Sequence, residues 1–434
     1  MDFQAIKGFR DFYPEDMRLR NWLCEAWRRV SLRNGFVEYD GPEMEYLDLY
    51  RVKSGDEIVS QLFSLVDRGG RELALRPEIT PTLARMINAR VNALPRPIKW
   101  FSIPRLFRAE NPQRGRLREF FQWNIDIVGP DEPLADAECV FTAVDLLQEV
   151  GLTPADAVVR YSSRGLLSAV LAGFDVAGEA VGPVLAALDK RAKVPPEAFE
   201  EMFAKALPAE AARAGVRKLL EMPDAAGRAA PDVAAALGLA ESPALAAAME
   251  NLRQFEQALQ AFGIADWCRY DTGIVRGLAY YTGIVYEIYD RPGKLRALAG
   301  GGRYDNLLEV LGGPRLGATG FGMGDAVLSI LLADLGKLPD LAERLDCFAV
   351  MGQGAGIGEL LAAVAAVRRA GVSCDFSTKP NTGKALKDAD RRNARVALIV
   401  KSDVVSVKDL KTATQTDVPA AQFLAEPGKY VAPA

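Results

Sequence analysis

The stretch FRAENPQRGRLREFFQWNIDIVG, residues 107–129, decides the fold. Arg108, Arg114, Arg116 and Arg118 interrupt an otherwise aromatic and aliphatic run, and Arg105 stands just ahead of it. Gly115 breaks the run where a hairpin turn is expected. On a strand, every second side chain shares a face, so Phe120, Gln122, Asn124 and Asp126 are placed to line one wall. Charge runs are often solvated hairpins. Here the arginines alternate with Phe107, Phe120, Phe121 and Trp123 and lead to an amide and a carboxylate. Guanidinium forks suit phosphate and carboxylate oxygens, and the amide–acid pair suits a small zwitterion.

Outward from this stretch, IKWFSIPRLFRAE (98–110) and REFFQWNIDIVG (118–129) predict an antiparallel pair. Residues 17–34 carry apolar positions at helical spacing and stop at Gly35. FVEYD, LFSLVD and RELALRPE are short strand patterns, with Asp67 to Arg71 as a hairpin turn between the last two. Thr80 to Leu94 predicts a helix with Pro81 near its start and Pro95 beyond its end. Neighbouring strands flanked by helices point to an α+β core.

From about 165 to 262 alanine, leucine and charged residues take over, which predicts a helical insertion. Strand texture returns at WCRYDTGIVRGLAYYTGIVYEIYD (267–290) and continues through the glycine triplet Gly300 to Gly302. A core over 1–330 is expected, then a linker at 331–345. Residues 346–434 alternate strand and helix patterns, as in a small α/β domain.

Histidine is absent from all 434 residues, so imidazole bases, imidazole metal ligands and His-dependent triads drop out. The five cysteines are widely spaced with no CxxC pair, which favours buried thiols over disulfides or metal ligation. The net charge is -4. From Leu345 onward twelve Lys and Arg face nine Asp and Glu, so a mildly basic tail follows an acidic body. No apolar run is long enough to span a bilayer and no signal-peptide core opens the chain, so cytoplasm is the expected location.

Three further motifs carry polar groups in apolar settings. In ALRPEITPTLAR (74–85), Glu78 and Thr80 sit where a strand gives way to a helix; they face a cleft, or Thr80 caps the helix. In IVRGLAYYTGIVYE (274–287), Arg276 is a ligand-binding charge or a surface arginine. Of Tyr280 and Tyr281, one is expected in the core and the other in a pocket. AGGGRYDNL (299–307) fits neither Walker nor Rossmann spacing.

Together, KGFRDFYPED, LRPEIT, FRAENPQRGRLREFFQ, RGLAYYTG and GGGRYDNL resemble the motifs of histidyl-tRNA synthetases, members of the class II aminoacyl-tRNA synthetases. The resemblance covers nearly the whole chain. It implies a class II antiparallel-sheet catalytic core and a C-terminal anticodon-binding domain. The implied reaction activates histidine with ATP and Mg²⁺ to histidyl-adenylate, then charges the 3′ end of tRNA(His). Arg108 and Arg276 would grip the α-phosphate. Glu110 and Arg116 would contact ATP, and Phe120 would stack on adenine. Glu78, Thr80 and Gln122 would hold the ammonium and carboxylate of histidine, while Asp126 and Tyr281 would read its imidazole. A homodimer is implied, with the region near Pro42 in its interface.

The chain also departs from the family pattern. Ala326 and Val327 stand where the third class II motif has Glu and an ATP-binding Arg, Ala279 replaces the usual Asp, and Asp126 stands where many members have Glu. Arg315 is one candidate substitute for the missing arginine. The alternative class is a non-catalytic histidine-binding regulatory paralogue of the ATP phosphoribosyltransferase type. The altered third motif favours it; the tail domain and the retained pocket residues argue against it.

Overall fold

The computed structural model describes residues 3–54, 62–191, 194–222, 227–274, 281–342, 344–379 and 381–431. It divides into two compact units, Met1–Pro339 and Asp340–Ala434. Arg276, Ala279 and Tyr280 lie outside the described residues.

The larger unit contains β1 (Val37–Glu38), β2 (Met44–Tyr46), β3 (Ser64–Val66), β4 (Glu72–Leu75), β5 (Ile98–Ser102) and β6 (Arg105–Phe107). These are followed by β7 (Glu119–Gly129), β8 (Ala157–Ser163), β9 (Cys268–Tyr270), β10 (Ile284–Asp290), β11 (Ala299–Arg303) and β12 (Gly317–Gly324). The main sheet runs β1-β5-β7-β12-β11-β10-β8-β9, and β6 pairs β7 as well. Its pairings are antiparallel except at the two ends, where β1 joins β5 and β8 joins β9 in parallel. β2, β4 and β3 form a small separate sheet. The turn between β3 and β4 is the expected one. Asp67 accepts from the backbone N–H of Gly69 and Arg71, and Gly70 takes φ +76°.

β7 lies inside the sheet and alternates as a strand must. Trp123, Ile125 and Ile127 point into the principal core with Trp27 and Val30 of helix Pro14–Arg33 and Leu146 and Leu147 of helix Leu134–Glu149. Trp123 stacks on Trp27 at 6.3 Å and donates its indole N–H to Ser31 Oγ at 2.8 Å. Each fully buried side chain of this size contributes roughly 1.5–3 kcal/mol. On the opposite face Val128, with Ile98, Val285 and Ala318, packs against Leu83, Ala84 and Ile87 of helix Thr80–Asn88.

That helix ends six residues before the expected Leu94. Asn88 gives its side-chain amide to the carbonyls of Leu308 and Leu311, and the chain leaves the helix with Ala89 and Arg90 exposed. Between β8 and β9 the described residues form helices without a strand, from Arg164–Gly173 to Pro243–Ala261. Phe203, Val216, Val233, Leu252 and Phe255 of these helices join the principal core. No single described helix is long and apolar enough to cross a membrane.

The smaller unit has β13 (Leu345–Met351), β14 (Cys374–Ser377), β15 (Ala394–Val400), β16 (Val404–Asp409) and β17 (Gln415–Pro419), ordered β14-β13-β15-β16-β17. Cys347 and Ala349 pack toward helix Ile357–Arg369, and Phe348 and Val350 toward helix Thr382–Arg391. Both faces of β13 are thus covered, as its unbroken apolar run requires. The cysteines are free thiols; Cys139, Cys347 and Cys374 are buried, Cys24 and Cys268 half-buried. Burial pushes the Cys24 and Cys374 thiols up to about 11.

Candidate active site

β7 presents Phe120, Gln122, Asn124 and Asp126 to one cavity of about 240 Å³. β12 lies antiparallel beside it, with Gly320 opposite Asp126, Gly322 opposite Asn124 and Gly324 opposite Gln122. These glycines clear the floor. A Cβ at Gly320 would lie 2.3 Å from Asp126 Oδ1 and 2.4 Å from the Ile125 carbonyl, and one at Gly322 would lie 2.6 Å from Gln122 Cδ. Gly300 of β11 continues the cleared surface. The alternating glycines of GFGMG were a readable signal: on a strand they strip one face of side chains.

Asp126 is buried and accepts a hydrogen bond from the Tyr304 hydroxyl. Tyr304 itself lines the cavity, and its role was not assigned from sequence. The next residue back, Arg303, is buried against Asp136 at 2.7 Å and donates to the carbonyls of Pro130 and Glu132, which pins the end of β11. Tyr281 is buried and lines the cavity; its carbonyl accepts from Arg164 Nη1 at 3.2 Å. Arg276 lies outside the described residues.

Glu78 and Thr80 both line the cavity. Thr80 is the first helical residue, and no side-chain bond caps that helix, so the cap alternative does not hold. Arg108 donates Nε to the Pro77 carbonyl at 3.1 Å and lies 5.0 Å over the Phe120 ring. Both line the cavity, as does Arg116. Glu110 does not reach it. Its carboxylate turns to the Arg116 guanidinium and forms an ion pair within the loop.

At the same end of the cavity helix Asp325–Asp334 begins, bringing Asp325, Ala326 and Val327 to the wall. Asp325 Oδ1 accepts from the Phe121 N–H at 3.1 Å, and Oδ2 pairs with Arg10 at 2.7 Å. Burial pushes the Asp325 carboxyl above its ordinary value, against the pull of Arg10. This junction spans 315 positions of sequence, so no local pattern announces it. Arg315 is exposed and is not among the described residues lining the cavity.

A mostly antiparallel sheet whose cavity meets an arginine loop at one end, together with a separate α/β unit, defines an α+β protein with a site built for phosphate and a polar small molecule. The profile of the histidyl-tRNA synthetase family matches residues 8–325. A histidine–tRNA ligase from Opitutus terrae is 42% identical over 98% of this chain and 97% of its own length. The chloroplastic/mitochondrial histidine–tRNA ligase of Arabidopsis thaliana is 37% identical over 96% of this chain and 85% of its own length. The solved histidyl-tRNA synthetase from Nostoc sp. PCC 7120 superposes with a TM-score of 0.76 at 23% identity, covering 99% of both chains, a likeness of fold. The chain belongs to the histidyl-tRNA synthetase family.

Proposed function

We infer that the chain is a histidine–tRNA ligase, which activates histidine with ATP and passes the histidyl group to the 3′ end of tRNA(His). One observation carries the site reading. A single strand, β7, lines the cavity with an aromatic ring at Phe120, an amide at Gln122 and a carboxylate at Asp126. Nucleotide and amino acid thus share one wall.

In the first step the histidine carboxylate oxygen attacks the α-phosphorus of ATP. An O–P bond forms, the bond to the leaving phosphate breaks, and pyrophosphate departs. Arg108 and Arg276 stabilise the charge gathering on the equatorial oxygens, each such donor contributing roughly 3 kcal/mol. No protein base is needed, because the attacking carboxylate is already ionised; the histidine-free composition is compatible with that. Phe120 stacks on adenine, Arg116 contacts the phosphates, and Glu110 acts through its pair with Arg116. Glu78, Thr80 and Gln122 hold the ammonium and carboxylate. Asp126, fixed by Tyr304, and Tyr281 read the imidazole nitrogens; a site of such paired polar groups rejects apolar analogues. Mg²⁺ would accompany ATP and offset part of its phosphate charge. Among the described residues no group of three or more His, Cys, Asp or Glu is gathered to hold a metal.

The unit Asp340–Ala434 is assigned to anticodon binding, the helices between β8 and β9 to the tRNA acceptor side, and the working form is a cytoplasmic homodimer joined near Pro42. The regulatory-paralogue alternative is not favoured, since relatives aligned over nearly the full chain are histidine–tRNA ligases. Histidine-dependent ATP–pyrophosphate exchange tests the reading. Folded protein that gives none is not a synthetase. Arg276→Ala should abolish exchange; near-normal rates would remove Arg276 from the mechanism. Deleting residues from 346 onward should spare exchange and cripple tRNA charging; undiminished charging would refute the assignment of the tail.

A further inference from the structure

At the end of the cavity bounded by the arginine loop and helix Asp325–Asp334, the first turn of that helix contributes no basic residue. The walls there include Leu117, Ala297, Leu298 and Val327. The loop comes down on this helix through Gly115, which takes φ +75° and where an added Cβ would lie 3.1 Å from Val327 Cγ2. Besides Arg108, four arginines lie on or against the loop and this helix, and three of them are ion-paired: Arg10 with Asp325 at 2.7 Å, Arg114 with Asp334 at 3.2 Å and Arg116 with Glu110.

The fourth, Arg296, differs. It is exposed and stands one residue before Ala297, which lines the cavity. Among the described residues its guanidinium meets the neutral side-chain oxygen of Gln113 and no carboxylate. Gln113 belongs to the loop turn, where its backbone N–H donates to Arg116 O at 2.9 Å and Arg116 returns the bond at 2.8 Å. A polyanion entering this end must compete with a carboxylate for each of the other three arginines. Arg296 offers an uncompensated planar fork, and such forks bind phosphate oxygens two at a time.

We propose that Arg296 binds the terminal phosphates of ATP, supplying from the β10–β11 connection the cation that helix Asp325–Asp334 does not carry. This rests on the ATP-dependent reading above. The contact to Gln113 adds a consequence: the same guanidinium holds the loop turn that carries Arg116, so phosphate binding and loop position are joined in one side chain.

The test is ATP–pyrophosphate exchange with the full-length protein, titrating ATP at saturating histidine. Arg296→Ala should raise the KM for ATP about 10- to 100-fold, the range for losing a charge-assisted contact, with the KM for histidine changed by less than about twofold. Arg296→Lys should recover part of the loss. Gln113→Ala, which removes the tether and keeps the guanidinium, should shift the ATP KM less than Arg296→Ala. An unchanged ATP KM in Arg296→Ala overturns the proposal and leaves the ligase reading standing if the wild type exchanges normally. Equal losses in Gln113→Ala and Arg296→Ala, with no recovery by Lys, overturn it too, because Arg296 is then only a tether. A wild type without exchange defeats the ligase reading, and this inference falls with it.

Discussion

β7 and β12 are neighbours in one sheet, yet they treat the cavity in opposite ways. β7 sends a side chain into it at every second position from Phe120 to Asp126. β12 answers with glycine at 320, 322 and 324, keeps Met323 in the core, and packs Phe321 in that core at the edge of the cavity. The site is therefore made by two complementary acts, placing groups on one strand and deleting them from the next. Specificity has to be sought as much in the missing Cβ atoms as in the polar groups.

The sharpest way to break this comparison is Gly320→Ala. The added methyl would meet the Ile125 carbonyl and Asp126 Oδ1, neither of which can withdraw freely. Exchange should fall by at least about 100-fold, since small displacements at the reacting centre are this costly. Thermal or denaturant unfolding should show a stability loss of about 1–3 kcal/mol from overpacking. Activity near wild type would mean that β12 is not a cleared floor. Next is Gln122→Ala, which leaves the floor and removes the group. It should lower kcat/KM for histidine about 30- to 100-fold with the ATP KM little changed, consistent with loss of a hydrogen bond to a charged group. An effect confined to ATP would put Gln122 on the wrong substrate.

Gly322→Ala sharpens the contrast, because the three atoms nearest its methyl all belong to the Gln122 side chain, which can turn aside. A rise of about tenfold in the histidine KM is expected, with stability within about 1 kcal/mol of wild type. The smallest effect belongs to a carboxylate away from both strands. Hydrogen bonds from Arg33 and then Arg29 hold Glu149 below its ordinary 4.5. Its pairing stabilises the fold above that value and is lost as pH falls through the lowered one. The unfolding curve of Glu149→Gln should therefore lose less stability than wild type on acidification between about pH 5 and 3, with exchange at neutral pH unchanged. Identical pH profiles would show that this pair contributes nothing measurable.

The face of β7 was legible because strand periodicity is local: once Gly115 is read as a turn, residues 120, 122, 124 and 126 fall on one side. The α+β core followed from the strands gathered around it. The end of helix Thr80–Asn88 was not legible, because it depends on carbonyls more than two hundred positions away, reached by Asn88. The hairpin of β16 and β17 also escaped the pattern. Its strands carry charged and exposed residues such as Lys408, Gln415 and Asp417, so apolar alternation is weak. Glu110 shows a different limit. Sequence places it in the arginine loop, but which way a loop carboxylate turns is decided by the nearest cation, here Arg116.

The length of β7 has a consequence of its own. From Phe120 to Asp126 the strand takes six steps of about 3.3 Å, so roughly 20 Å separates its two ends along a single rigid edge. Under the proposed assignment the sheet works as a ruler, with the adenine set at Phe120 and the imidazole at Asp126. Slipping it by one residue would turn Phe121, Trp123 and Ile125 into the cavity and erase every mark together. Preference for nucleotide and for amino acid cannot be re-gauged separately by shifting this strand; each must be tuned by exchanging side chains at fixed marks, one at a time.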